Sequence, residues 1–146
     1  LSKSRKNNNK RSYSITYKYK KITLIMKHNI PSALQALAPG AEWALSGDTY
    51  SGLDWHNGHG YDKPTEAAIT AKITELDNAE AMKLLREERD RRIAKTDWRA
   101  SSDLTLSSEW STYRQALRDL PSTATPTLDA SYNLDLTSVT WPTEPS

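Results

Sequence analysis

Cysteine and phenylalanine are absent from the 146 residues, methionine occurs twice and glycine five times. Without cysteine there is no disulfide framework and no thiolate chemistry, which fits a reducing compartment. No apolar run approaches the about 20 residues that a membrane-spanning helix needs. No apolar stretch follows the N-terminal charges, so a secretory signal is excluded. Only 36% of the chain is hydrophobic and the mean hydropathy is −0.76. The core is therefore modest, and a modest core gains stability from a partner or from oligomerisation. No Gly-x-Ser-x-Gly elbow frames a nucleophilic serine. Gly58-His59-Gly60 lacks the third glycine and the Lys-Ser/Thr ending of a phosphate loop. These absences argue against an enzyme.

What is present is unevenly distributed. Residues 1–25 hold eight basic residues and no acid, which leaves 12 basic against 18 acidic residues in the rest. The chain reads as an acidic body behind a basic leader, and an acidic body is a poor match for phosphates. The leader has three readings. It is a basic arm for nucleic acid or a membrane surface, a tail without a role, or sequence translated from upstream of Met26, in which case residues 1–25 are not native. The alternation Tyr13-Ser14-Ile15-Thr16-Tyr17-Lys18-Tyr19 has strand character.

The body begins with a helix over residues 29–38, capped by Asn29 or Ser32, with Pro31 in its first turn. Trp43 and Leu45, then Leu53 and Trp55, alternate about a Gly47-Asp48 turn and predict a β-hairpin or a small two- or three-stranded sheet. Thr65 and Glu66 open a long helix to about Trp98. Its apolar stripe of Ile69, Ile73 and Leu76 shifts to Met82, Leu85 and Ile93, which predicts a break near Asp77-Asn78 or a change of packing partner. Residues 86–95 are almost wholly charged, with Glu87–Arg91 and Glu88–Arg92 at salt-bridge spacing. A second helix is capped by Ser107 or Ser108 and ends before Pro121, with Trp110, Tyr113, Leu117 and Leu120 on one stripe. Residues 121–146 are rich in Pro, Ser and Thr. They predict an extended tail in which Leu134, Leu136, Val139 and Trp141 form short strands or dock.

The expected architecture is α+β. A helix-plus-hairpin unit spans residues 26–63, a long helix and helical hairpin span 64–120, and a Pro-rich extended tail spans 121–146. Two candidate sites follow. His56 and His59 lie near Asp54 and Asp62 and offer a weak metal site, weak because His28 is the only other histidine and the glycines favour a solvated turn. The other is an aromatic and arginine surface, since Trp, Tyr and Arg are the usual interface anchors.

The stretch LLREERDRRIAKTDWRASSDLTLSSEWSTYRQALRDLP from residue 84, followed by VTWPTEP near the end, resembles the phage tail assembly chaperone family and, more loosely, tail fibre assembly proteins. The likeness rests on Arg89, Arg92, Asp97, Trp98, Trp110, Tyr113, Arg114, Leu117, Arg118, Asp119, Trp141 and Pro142. One departure is Arg99–Thr105, where relatives often carry a Pro-containing connection. The resemblance implies a non-enzymatic role, without cofactor, in binding a phage tail or tail-fibre protein in the host cytoplasm. A structural component kept in the virion tail or fibre is one alternative, and a nucleic-acid-binding protein using the basic N-terminal segment is another. Trp98, Trp110, Tyr113, Arg114, Arg118 and Trp141 are the candidate contacts. Asp97 and Asp119 are expected to pair with Arg114, Arg118 or Arg92, and Trp98 to pack on the Trp110 and Tyr113 face.

Overall fold

The computed structural model describes residues 28–56, 58, 60–100 and 105–146. The readings of the basic leader, and His59, lie outside these residues.

Helix α1 (Ile30–Leu37) starts at a reciprocal cap. The Asn29 side chain accepts from the Ser32 amide at 3.2 Å, and Ser32 Oγ accepts from the Asn29 amide at 2.7 Å. Two otherwise unpaired donors are thereby satisfied. Strands β1 (Trp43–Leu45) and β2 (Leu53–Trp55) pair antiparallel, with Trp43 opposite Trp55 and Leu45 opposite Leu53. Gly47 takes a positive φ of 75° in the connection, as the expected turn requires. Gly52 has a different reason to be glycine: a Cβ there would sit 1.9 Å from the Ser46 carbonyl oxygen. A lone two-stranded hairpin is marginal in water. Ala33 and Leu34 of α1, both fully buried, cover it together with Leu53 and Ile69. Trp43, Leu45, Trp55 and Ile73 pack around that cluster.

Helix α2 (Glu66–Ala94) is capped by Thr65 Oγ1, which accepts from the Ala68 amide at 3.2 Å. Its 29 residues run without a break, about 43 Å at helical rise. The shifted stripe therefore records a change of partner. Ile69 and Ile73 face α1 and the hairpin, whereas Met82, Leu85 and Ile93 face the second half of the chain. The helix stops at Ala94, short of the expected Trp98. The Thr96 hydroxyl and amide both bond to the Ile93 carbonyl, at 2.7 and 2.9 Å, and compete with helical continuation. A short 3-10 turn, Asp97–Ala100, follows.

Helix α3 (Ser108–Thr123) continues through Pro121, contrary to the expected end before it. Proline forfeits the bond to the carbonyl four residues back. The last turn is secured by other donors: the Ala124 amide and Thr123 Oγ1 to the Leu120 carbonyl, and Ser122 Oγ to the Asp119 carbonyl. Leu85 packs with Leu120, while Ile93 packs with Trp110, Tyr113 and Leu117. The two helices thus run antiparallel.

The tail docks. Leu134, Val139 and Trp141 pack on Met82, Leu85 and Leu120, while Leu136 stays half exposed. A turn closed by Asp129 and the Leu128–Leu134 bridge folds the tail back. At its tip Tyr132 adopts φ 65°, an uncommon conformation for a large side chain. Its hydroxyl donates to Asp77, His28 Nδ1 lies 2.8 Å from the same carboxylate oxygen, and the His28 amide donates to the Tyr132 oxygen at 3.2 Å. This polar cluster ties the start of the described chain, the middle of α2 and the tail together. Burial first, then the Asp77 hydrogen bond, pushes the Tyr132 phenol above its ordinary range. The molecule is thus α+β with a long central helix.

Candidate partner-binding surface

The six candidate residues separate into two environments. Trp110 and Tyr113 are buried on α3 and meet edge to face, with ring centroids 5.8 Å apart. Burial pushes the Tyr113 phenol upward, and Glu144 adds to the shift. Arg114, one helical position on, is also buried. It donates to the Ile93 carbonyl at 3.3 Å, to the Thr96 hydroxyl, and from Nη2 to Asp97 Oδ1 at 2.8 Å. A buried guanidinium is tolerable because each bond replaces lost water. These three side chains are occupied in closing the hairpin.

Trp141 is partly buried beside them. Arg92 lies over its ring at 3.9 Å from the centroid, and its indole N–H donates to the Leu136 carbonyl at 3.2 Å. Arg92 in turn donates from Nε to Glu88 at 2.8 Å, while Arg91 makes two bonds of 2.7 Å to the same carboxylate. The Arg91 hydrogen bonds, and then those of Arg92, hold the Glu88 carboxyl below the usual range against the opposing effect of burial. Glu88 therefore takes both arginines, and Arg91 turns to it rather than to Glu87. Arg89 Nε approaches Asp90 Oδ1 to 2.7 Å but off the hydrogen-bond direction, leaving a buried N–H without an acceptor.

Trp98 and Arg118 face solvent. Trp98 is 61% exposed, the most exposed large hydrophobic residue among those described. Arg118 touches Gln115 Oε1 only at 3.5 Å, and Gln115 donates to Asp119 at 2.9 Å. Of the expected ion pairs, Asp97 with Arg114 forms, Arg92 goes to Glu88, and Asp119 accepts from an amide instead of an arginine.

Between the exposed and buried sets lies Arg99, which the sequence presents as an ordinary loop residue. Its guanidinium carbon is 4.4 Å from the Trp98 ring centroid and 3.9 Å from that of Trp110. Both distances are within the range of cation–π attraction. Trp98 is thus linked to Trp110 through the Arg99 guanidinium, which lies over both indoles. A cavity of about 300 Å³ opens here, lined by Trp98, Arg99, Thr105, Leu106, Ser107 and Trp110. The Asp-Trp-Arg run after a helix end was the available signal for this arrangement.

Elsewhere, a groove of about 960 Å³ runs along α1 and the start of β1 past Gln35, Glu42, Trp43 and His56. It is open to solvent and lies far from the aromatic–arginine network in sequence. His56 Nε2 is 3.8 Å from Asp54 Oδ2, and both side chains are well exposed. Among the described residues no three His, Cys, Asp or Glu side chains assemble as a metal-ligand group. No described helix is long and apolar enough to cross a membrane.

The second half of the described chain is a helical hairpin clasped by its own tail, with the Trp98 indole left largely in solvent. Residues 82–146 match the family described as phage tail assembly chaperone protein, which supports the likeness drawn from the Arg-rich helix, Asp97-Trp98 and α3. The match places this segment in the setting of bacteriophage tail assembly. It begins at Met82, the residue at which α2 turns from the first cluster to the second. No curated protein and no solved structure matches the chain.

Proposed function

We propose that this protein is a non-enzymatic, chaperone-like factor that binds a phage tail or tail-fibre protein in the host cytoplasm during assembly. The observation that carries this reading is the exposed Trp98, set on the segment that matches the tail assembly chaperone family. A solvated indole beside a rigid helical hairpin is the kind of anchor on which interfaces concentrate their energy. Trp98 and Arg118 are the residues offered to the partner. Trp110, Tyr113, Arg114 and Trp141 hold the surface in shape from beneath. Such a factor shields an apolar or strand-edge surface until the permanent neighbour arrives.

The test is co-expression of the full chain with the phage's tail and tail-fibre proteins, followed by mass spectrometry of soluble complexes and of mature particles. The expected result is a soluble complex with one tail component and absence from the particle. Recovery from particles at fixed copy number would instead make the chain a structural component of the tail.

A further inference from the structure

We infer that Trp98, Arg99 and Trp110 form a clamp for a carboxylate-bearing, acidic peptide segment of a protein partner. The inference rests on the binding reading above and adds the chemistry of what is bound. Three other arginines of the hairpin have carboxylates of their own: Arg91 and Arg92 share Glu88, and Arg114 takes Asp97. Arg99 is different. Among the described residues no carboxylate pairs with its guanidinium, which is stacked instead on two indoles. A guanidinium held over aromatic rings keeps its N–H donors, with which it recognises a carboxylate bidentately.

The surroundings fit such a ligand. Among the described residues, no acidic side chain lines the cavity of about 300 Å³ beside Arg99. Thr105 adds a hydroxyl donor at its wall, Ser107 being engaged by Glu109, and Leu106 with the Trp98 ring offers apolar surface for the residue next to the acid. Fixing the guanidinium on two rings before binding reduces the ordering cost of the contact. The remainder of the body carries an excess of acid, 12 basic against 18 acidic residues beyond residue 25, so a cationic clamp is a local exception that would fix where an acidic segment lands.

The probe is a synthetic hexapeptide, acetyl-Gly-Leu-Glu-Leu-Glu-Gly-amide, titrated into the full chain at low salt. The indole N–H resonances of Trp98 and Trp110 are followed by NMR. A peptide with glutamine in place of both glutamates is the control. The clamp predicts that the acidic peptide shifts both resonances saturably, and that the glutamine peptide binds at least tenfold more weakly. Arg99→Ala should lose at least tenfold, and Arg99→Lys should recover only part of it because charge alone is kept. Equal binding of the two peptides, no binding of either, or undiminished binding by Arg99→Ala would overturn the proposal. So would binding that emerges only in Asp103→Asn, since the chain's own carboxylate would then be the occupant. Failure here leaves the co-expression result standing. A failed co-expression with a positive titration would sink the tail-assembly reading alone.

Discussion

Arg92 of α2 lies over Trp141 of the tail, with its guanidinium carbon 3.9 Å from the ring centroid. This contact joins the charged face of a helix to a residue 49 positions later, and Val139 and Leu134 follow it into the same cluster. The last part of the chain is therefore a strap across the helical hairpin.

Removing the strap's anchor should loosen the hairpin. Trp141→Ala deletes a partly buried indole and its cation–π contact, an expected loss of about 2–4 kcal/mol. Trp141→Phe, which keeps a ring but not the N–H to Leu136, should lose less. Urea denaturation of the three proteins checks the order, and an unchanged midpoint for Trp141→Ala would show that the strap contributes nothing.

Inside the hairpin, Trp110→Ala and Arg114→Ala should both reduce folding. The first opens a cavity at an expected cost of about 3–5 kcal/mol. The second removes the guanidinium hydrogen bonds to the Ile93 carbonyl, the Thr96 hydroxyl and Asp97, at about 1–3 kcal/mol. Helical circular dichroism during thermal melting should show both losses. Retention of full helicity and melting temperature would mean that these side chains are not structural.

Trp98→Ala has the opposite expected profile. The side chain is 61% exposed, so the melting temperature should stay within a few degrees. Capture of the tail partner should fall at least tenfold. Pull-down of the co-expressed tail protein, run beside a melt of the same preparation, separates the two effects. Undiminished capture removes Trp98 from the binding surface.

The Glu88 carboxyl, held below its ordinary range first by Arg91, gives a pH dependence. A group whose folded pKa is depressed contributes stability that is fully present above its unfolded value, about 4.3 for glutamate. That contribution fades as pH falls through the lower folded value. Wild type should thus lose stability below about pH 4.3 more steeply than Glu88→Gln. Parallel acid-denaturation curves for the two would refute the assignment.

Much of this architecture was legible in local chemistry. Asn29 and Ser32 name their cap, because a short oxygen side chain reaches the backbone three residues on. Thr65 does the same for α2. Period-two alternation at Trp43, Leu45, Leu53 and Trp55 specified the hairpin, and a one-residue slip of either strand would turn its own two apolar side chains outward. The stripe of Trp110, Tyr113, Leu117 and Leu120 specified the buried face of α3. The resemblance rested on the order of such residues, which also needs no coordinates.

Sequence by itself determined where most elements lie, the caps of α1 and α2 and the apolar faces, because those depend on neighbours within about four positions, whereas Ser107 makes no side-chain cap bond at α3. Only tertiary structure decided which candidates stay in water. Arg114 and Arg118 are one turn apart on α3 and chemically identical, yet one is sealed against Thr96 and Asp97 while the other is exposed. Trp98 and Trp110 likewise divide into a solvated and a buried indole joined by Arg99. The physical reason is that desolvation depends on what another segment brings to the same place, and sequence spacing does not encode that distance.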